Sequence, residues 1–324
     1  MNAQIHQLKA RFLRQEYIVT LFTIMVVFVF SVLPGSNFYS LPNFRIILSQ
    51  AAINGICVIG LTLCLIMGGI DFSMGAVLAV CACFSGILVN RGVPVFAVLA
   101  ASVLTGMLCG AANGFLIAYL RIAPIIATLA SMYVLRGLCA IATGGVWISD
   151  FPETFKWPGQ STYGGIPMHF VLWLVLAFAV QFTLNNFNIG RKFYAAGGNP
   201  ESARLFGIDY AAYRLSAYAA SGALIGLSGT IYASMVGTVS ADTTGLNTSG
   251  DLLAAALIGG VHINGGKGNV FGAGIGVLLM RIIRNGLIIS KISEHWADAV
   301  TGAIIVLALV LSSLEKFSQR EQGG

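Results

Sequence analysis

Long apolar runs, separated by short polar or glycine-rich turns, fill most of the chain. They predict ten membrane-spanning helices, at 17–33, 46–67, 73–90, 94–119, 124–142, 168–186, 212–236, 251–261, 269–288 and 296–313. Many of these runs reach the length of about 17–25 apolar residues that a helix needs to cross a bilayer. The pattern therefore predicts an all-α polytopic membrane protein. A single transmembrane domain, 17–313, would lie between an N-terminal tail at 1–16 and a C-terminal tail at 314–324.

Composition and charge agree with a membrane protein. Hydrophobic residues make up 57% of the 324 residues and charged residues only 9%, whereas a soluble domain carries about 25% charge. The basic residues concentrate in the N-terminal tail and at 190–214. By the positive-inside rule, both regions and both termini are expected in the cytoplasm. The net charge of +6 is thereby explained by topology rather than by a nucleic-acid partner.

A polar island at 190–208 interrupts the apolar pattern. Asn199 can cap a helix whose first turn begins at Pro200, Glu201 lies near its positive end, and Gly207 can end it. About two turns are too short to be stable alone in water. The apolar residues that such a helix has to bury are Ala203, Leu205, Phe206 and Ile208. We therefore expect the island to bind a partner.

Two short connections share one pattern, Gly-Gly-aliphatic-polar-apolar-polar-x-Gly. We call residues 68–75 the first hinge and residues 259–266 the second hinge. Glycine pairs allow helices to break or to turn sharply, and broken helices in corresponding positions point to a transport path. Chance in a chain with 39 glycines is the alternative explanation. The hinge glycines are Gly68, Gly69, Gly75, Gly259, Gly260, Gly265 and Gly266.

Asp71 is the most conspicuous charge predicted to lie near the bilayer interior. Such an acid is costly and often functional, but it can also cap the helix that begins near Ser73. Both interpretations stay open at this point. Carriers coupled to protons or sodium bury several ionisable groups. Because Asp71 stands nearly alone here, we expect the driving energy to come from elsewhere.

Further polar residues lie inside predicted spans. Asn54 and Asn113 can line a cavity or bond between helices. Arg136, Arg281 and Arg284 can extend towards the interface or contact a polar solute. The candidates for a translocation path are Asn54, Asp71, Ser73, Asn113, Arg281 and Arg284.

The sequence offers no set of residues for catalysis. The four histidines are scattered, and the nearest approach to a phosphate-binding loop, 265–268, lacks the required spacing. The six cysteines lie in predicted spans, where small packing residues are expected. We therefore expect no enzymatic activity, no bound metal and no cofactor in this chain.

Several passages, in order between about 45 and 312, resemble the permease subunits of bacterial sugar ABC importers of the ribose/galactose/xylose group. They are 68–75, 123–129, 136–137, 190–208, 258–260 and 265–268. Phe72 and Met74 replace the leucine and valine usual in that family. Residues 143–148, followed by Pro152, are also similar to the autoinducer-2 and rhamnose branches.

The resemblance implies a permease that moves a monosaccharide-like solute by alternating access. The implied partners are a second permease subunit, identical or different, two cytoplasmic ATPase subunits that bind the ATP, and a periplasmic solute-binding protein. Residues 187–211 would form the segment that couples to the ATPase. The implied coupling residues are Gly197, Gly198, Asn199, Pro200, Glu201, Ala203, Arg204, Leu205, Gly207 and Ile208. The alternatives are a branched-chain amino-acid ABC permease and a self-sufficient secondary transporter.

Overall fold

The computed structural model describes residues 15–32 and 38–293, with isolated positions between 296 and 306. Most of the predicted N-terminal tail, the predicted C-terminal tail and most of the predicted tenth span lie outside the described residues.

Within the described residues the chain forms twelve helices and one short hairpin. They are α1 (Gln15–Val32), α2 (Leu41–Ile66), α3 (Met74–Asn90), α4 (Val95–Ala118), α5 (Pro124–Thr143), α6 (Glu153–Gln160), β1 (Thr162–Tyr163), β2 (Ile166–Pro167), α7 (Met168–Asn186), α8 (Asn188–Gly198), α9 (Pro200–Leu205), α10 (Tyr210–Val236), α11 (Thr248–Ile258) and α12 (Val270–Ile289). The two strands pair antiparallel, with Thr162 opposite Pro167.

The all-α class is confirmed for this part of the chain, and the first nine predicted spans coincide with helices. Six of these helices are long and apolar enough to cross a membrane, namely α2, α4, α5, α7, α10 and α12. The helix α11 has only 11 residues, about 17 Å at 1.5 Å per residue, against a hydrocarbon core of about 30 Å. The predicted span at 251–261 is therefore a short helix that ends at the second hinge.

The long helix α10 lies at the centre of the bundle and packs against α2, α3 and α4. Its contact with α4 uses glycines on both sides. A Cβ built on Gly222 would overlap the Gly106 carbonyl oxygen, and one built on Gly226 would overlap the Ser102 carbonyl oxygen. Small residues allow helix backbones to approach this closely in a membrane, where van der Waals contact replaces the hydrophobic effect as the driving force.

Candidate translocation path and coupling segment

Both hinges and the end of α8 meet at one point, where three backbone segments touch. A Cβ built on Gly197 would overlap the Ile66 carbonyl oxygen, and one on Gly265 would lie 2.5 Å from the Gly197 oxygen. The Gly266 N–H donates a hydrogen bond of 2.8 Å to the Ile66 carbonyl. A side chain at this contact would push the segments apart. We call the contact the glycine junction; its members are Gly68, Gly197, Gly198, Gly265 and Gly266.

The helix α9 begins directly after the junction and has both predicted caps. The Asn199 side chain accepts a hydrogen bond of 3.0 Å from the Ser202 N–H, and Pro200 occupies the first helical position. At the other end Gly207 has φ +72°, a conformation that suits glycine. The N–H groups of Gly207 and Ile208 donate to carbonyls inside the helix, each at 3.0 Å. The capping predictions are confirmed.

Burial divides the apolar residues of this segment into two sets. Ala203 is buried, and Ile208 packs partly against the core. Leu205 and Phe206 are 87% and 84% exposed. We call these two residues the exposed tip. Because the other two apolar residues are already covered by the chain itself, only the tip is left for a partner to cover.

A chain of hydrogen bonds fixes the start of α3. The Asp71 carboxylate accepts bonds from the Ser73 N–H at 2.8 Å and from the Ser73 hydroxyl at 2.6 Å. The Asn113 amide of α4 donates to the same hydroxyl at 2.8 Å, and its oxygen accepts from Ser131 of α5. Asp71 therefore binds the backbone and the side chain of Ser73, the residue directly before α3. Asn113 bonds between helices.

Three further side chains hold the backbone of the first hinge. The Tyr218 hydroxyl of α10 donates to the Ile70 carbonyl at 3.2 Å, and the Phe72 N–H donates to Thr128 of α5 at 3.1 Å. The Ser249 hydroxyl of α11 donates to the Phe72 carbonyl at 2.8 Å and accepts from another hinge N–H at 3.1 Å. Backbone that is not helical is tolerated at membrane depth only where its polar groups find such partners.

Two neighbouring cavities of about 460 Å³ each share one wall. The shared wall consists of Gly245, Leu246, Asn247 and Asp251. The first cavity is also lined by Phe72, Leu129, Met132 and Arg136. The second cavity is also lined by Gln50, Asn54, Thr243, Thr248, Arg281 and Arg284. Each cavity is large enough for a small-molecule ligand.

An ion network lies between the two cavities, and its member Asp298, which lines the first cavity, is 45% exposed. The Asp251 carboxylate accepts from Arg281 at 3.1 Å and from Arg284 at 3.3 Å, and Arg284 also pairs with Asp298 at 3.2 Å. With its amide oxygen turned towards Arg281, Asn54 accepts a bond of 3.0 Å from Nε of that guanidinium. The side chains of Asp251, Arg281 and Arg284 are 12%, 15% and 17% exposed. The network joins α11 to α12 and to α2.

The six predicted path residues therefore fall into two groups. Asn54, Arg281 and Arg284 line the second cavity. The other three belong to the hydrogen-bond chain at the first hinge and line neither cavity. They are Asp71, Ser73 and Asn113. For all six residues a part in a translocation path stays a prediction.

The expectation that Asp71 stands nearly alone as a buried acid is wrong, because Asp251 is also buried and ion-paired. Asp251 is the first residue of the predicted span 251–261, and a charged residue at the end of a span is expected to lie at the membrane surface. The helix begins at Thr248 instead, so Asp251 lies one turn inside it. An ionisable residue inside an apolar run was the signal that could have found it.

Arg136 supports the segment between α10 and α11. Its guanidinium donates to the carbonyls of Ala241 at 2.6 Å, Asp242 at 3.3 Å and Thr244 at 3.2 Å. It also lines the first cavity. The sequence left two possibilities for Arg136, extension towards the interface and contact with a polar solute. The structure shows its side chain bound to backbone carbonyls at the edge of a cavity.

Comparison with known proteins identifies the class. Residues 43–309 match the family described as branched-chain amino acid transport system / permease component. The chain is 32% identical over 290 residues to the autoinducer 2 import system permease protein LsrC of Yersinia pseudotuberculosis serotype O:1b. The aligned region covers 90% of this chain and 82% of that protein. LsrC of Yersinia pestis strain Pestoides F matches to the same extent. No solved structure matches the chain.

The chain belongs to this family of transport-system permeases. Family and helices together make it a multi-pass membrane protein that works in transport. The resemblance to importer permeases is thereby confirmed.

Proposed function

We propose that the chain is the permease subunit of an ATP-driven importer that moves a monosaccharide-like solute from the periplasm to the cytoplasm. It would cross the bacterial inner membrane about ten times, with both termini in the cytoplasm. A second permease subunit, identical or different, would complete the path. Separate cytoplasmic ATPase subunits would bind the ATP, so that this chain needs no cofactor, and a periplasmic binding protein would deliver the solute.

The observation that carries the proposal is the direct link from the exposed tip to both hinges. Two exposed apolar side chains on a short capped helix, within a polar segment, are expected to be covered by a partner. Leu205 and Phe206 supply that pair, and Asn199 alone separates α9 from the end of α8 at the glycine junction. A displacement of α9 by a partner would therefore reach both hinges through backbone contacts.

The hinges in turn border the helices that wall the two cavities. The first hinge leads into α3, and the second connects α11, which carries Asp251, to α12, which carries Arg281 and Arg284. A shift at the junction would change how these helices pack around the cavities. This supports alternating access driven from the cytoplasmic side over transport driven by an ion bound within this chain.

A second candidate solute is a branched-chain amino acid, because the family description names that class. The second cavity favours a hydroxylated solute instead. Its wall is rich in neutral polar side chains, namely Gln50, Asn54, Thr243, Asn247 and Thr248. An aliphatic side chain would leave such groups without hydrogen-bond partners, which costs free energy in a desolvated site.

The exposed tip provides the test. We propose to co-express the chain with the ATPase subunit of its gene neighbourhood and to compare Phe206→Asp with Tyr163→Asp. The two aromatic residues are similarly exposed, at 84% and 82%, but Tyr163 lies in the hairpin far along the chain from α9. A carboxylate in an apolar contact costs several kcal/mol. Phe206→Asp should therefore reduce co-purification of the ATPase, and uptake with it, at least tenfold, or about 1.4 kcal/mol.

The control Tyr163→Asp should leave both measurements unchanged. Equal recovery of the ATPase with both variants would rule out α9 as the docking helix. Uptake of a labelled sugar by the chain alone in proteoliposomes, driven by an ion gradient without ATP, would favour a secondary transporter.

A further inference from the structure

We propose that Tyr210 is a positioning residue that ties the helix α9 to the first hinge, through its ring on one side and its hydroxyl on the other. This inference rests on the proposed import function and adds a side-chain connection to the backbone contacts of the glycine junction. Through this residue a partner that moves α9 also moves the first hinge.

The ring of Tyr210 is held by two arginines from different helices. Tyr210 is the first residue of α10, and the Arg214 guanidinium, one turn further along the same helix, lies over its ring, 5.4 Å from the centroid. The Arg204 guanidinium of α9 also lies over the ring, 6.0 Å from the centroid. A cation over an aromatic face is attracted by the electrons of the ring. A displacement of α9 therefore acts on the ring through Arg204.

The hydroxyl of Tyr210 binds the backbone where α2 ends. It donates to the Met67 carbonyl at 3.3 Å. The Arg214 guanidinium donates a long bond of 3.5 Å to the next carbonyl, that of Gly68. The last carbonyls of a helix have no partner within that helix, and a positive charge is favourable beside them. Because Gly68 is the first residue of the first hinge, these bonds hold the point where the hinge begins.

Exposure differs between the two ends of this connection. Arg204 is exposed and directly precedes the exposed tip, so a partner that covers the tip also reaches Arg204. Met67 is fully buried. Tyr210 is half-buried and contacts both. It therefore joins a surface that a partner can reach to backbone that a partner cannot reach.

The test measures the response of the cavity wall to nucleotide. Leu246→Cys places a thiol on the wall that both cavities share, at a side chain that is 65% exposed. The complete transporter is reacted with a methanethiosulfonate that carries a sulfonate group, with and without a non-hydrolysable ATP analogue. The native cysteines are buried or half-buried, so the complex without Leu246→Cys gives the background. Binding of the analogue to the ATPase subunits should change the reaction rate of the new thiol.

Tyr210→Phe keeps the ring and removes the hydroxyl. It should lower the nucleotide-dependent change in reaction rate at least about twofold, while the amount of co-purified ATPase stays the same. A residue that only stabilises the fold would not separate these two measurements. The control Tyr213→Phe changes another half-buried tyrosine in the first turn of α10, whose ring lies 5.3 Å from that of Phe193 between centroids. It keeps this ring contact and should leave both measurements unchanged.

A second comparison tests the ring. Arg204→Gln removes the cation and should lower the nucleotide-dependent change as well, whereas Arg204→Lys retains a cation and should keep most of it. Tyr210→Leu removes the ring and the hydroxyl together. Because Arg204 acts through this ring, the variant with both Arg204→Gln and Tyr210→Leu should be no worse than Tyr210→Leu alone.

Equal nucleotide responses in Tyr210→Phe and Tyr213→Phe would overturn the inference. A double variant whose loss is the product of the two single losses would overturn it too, because Arg204 and Tyr210 would then act separately. Failure of the import proposal gives a different result. In that case the complex with Leu246→Cys alone shows no response to the ATP analogue, and the inference fails with the proposal.

Discussion

The two hinges share a sequence pattern but are held in different ways. The first hinge is held by side chains of neighbouring helices, among them Asn113, Thr128, Tyr218 and Ser249. Both hinges begin with backbone bonds into the preceding helix. The Gly68 and Gly69 N–H groups donate into α2 at 2.8 and 2.9 Å, and the Gly260 and Val261 N–H groups donate into α11, each at 3.0 Å. In the second hinge the His262 N–H also donates to the Lys267 carbonyl at 3.1 Å.

Their glycines differ as well. In the first hinge Gly68, the first of its pair, has φ +69°, whereas in the second hinge Gly260, the second of its pair, has φ +88°. The shared sequence pattern therefore does not give the two hinges the same backbone conformation. Side-chain deletions should therefore weaken the first hinge more than the second. Crowding should weaken either hinge, because a Cβ on Gly75 of the first hinge would lie 2.1 Å from the Gly245 carbonyl oxygen.

The largest effect is expected from Gly265→Ala in the second hinge. Gly265 has φ +83°, and a Cβ there would lie 2.5 Å from the Gly197 oxygen and 3.0 Å from the Ile66 oxygen. Strain and crowding together should lower the free energy of unfolding by about 3 kcal/mol. Because the cysteines are mostly buried, a thiol-reactive dye can report the change in Tm.

Gly92→Ala is the matched control for this substitution. Gly92 has φ +82°, but a Cβ there meets nothing within 4 Å, so the variant shows the backbone strain alone, about 1–2 kcal/mol. If the two variants were equally unstable, crowding at the glycine junction would contribute nothing.

Next comes Ser249→Ala, which removes one hydroxyl that serves both a carbonyl and an N–H of the first hinge. Leaving these groups without a partner should destabilise the protein by about 2 kcal/mol. The control Ser216→Ala removes an exposed hydroxyl that bonds only within its own helix and should change stability by less than about 0.5 kcal/mol. Matching Tm values for the two would mean that the first hinge does not depend on side chains.

A smaller loss is expected from Tyr194→Phe beside the second hinge. The Tyr194 hydroxyl donates to the Gly268 carbonyl at 2.7 Å, just after the hinge. Its removal should cost about 1 kcal/mol, less than Ser249→Ala, because one backbone group loses its partner here and two lose theirs there. Tyr133→Phe, at a ring that is 73% exposed, gives the baseline. A loss larger than that of Ser249→Ala would reverse the ranking of the two hinges.

What the sequence could predict follows from how local each feature is. The caps of α9 are local, since Asn199 and Gly207 contact atoms within a few residues, and their chemistry was visible. The glycine junction joins positions 66, 197 and 265, and no local pattern shows that such distant segments touch. Asp251 was missed because the predicted start of its helix was late by three residues.

The smallest effect is expected from Gly137→Ala, at a glycine that makes no close contact. Gly137 lies inside α5, and a Cβ there meets nothing within 4 Å in the subunit. Because alanine restricts the unfolded backbone more than glycine, Gly137→Ala should raise the free energy of unfolding of the isolated subunit by about 0.5–1 kcal/mol. A lower Tm in the assembled transporter, beside a higher one in the isolated subunit, would show that a second permease covers this face of α5. A lower Tm in both the isolated subunit and the assembled transporter would contradict the prediction. Alanine would then destabilise even a glycine position that has open space around it.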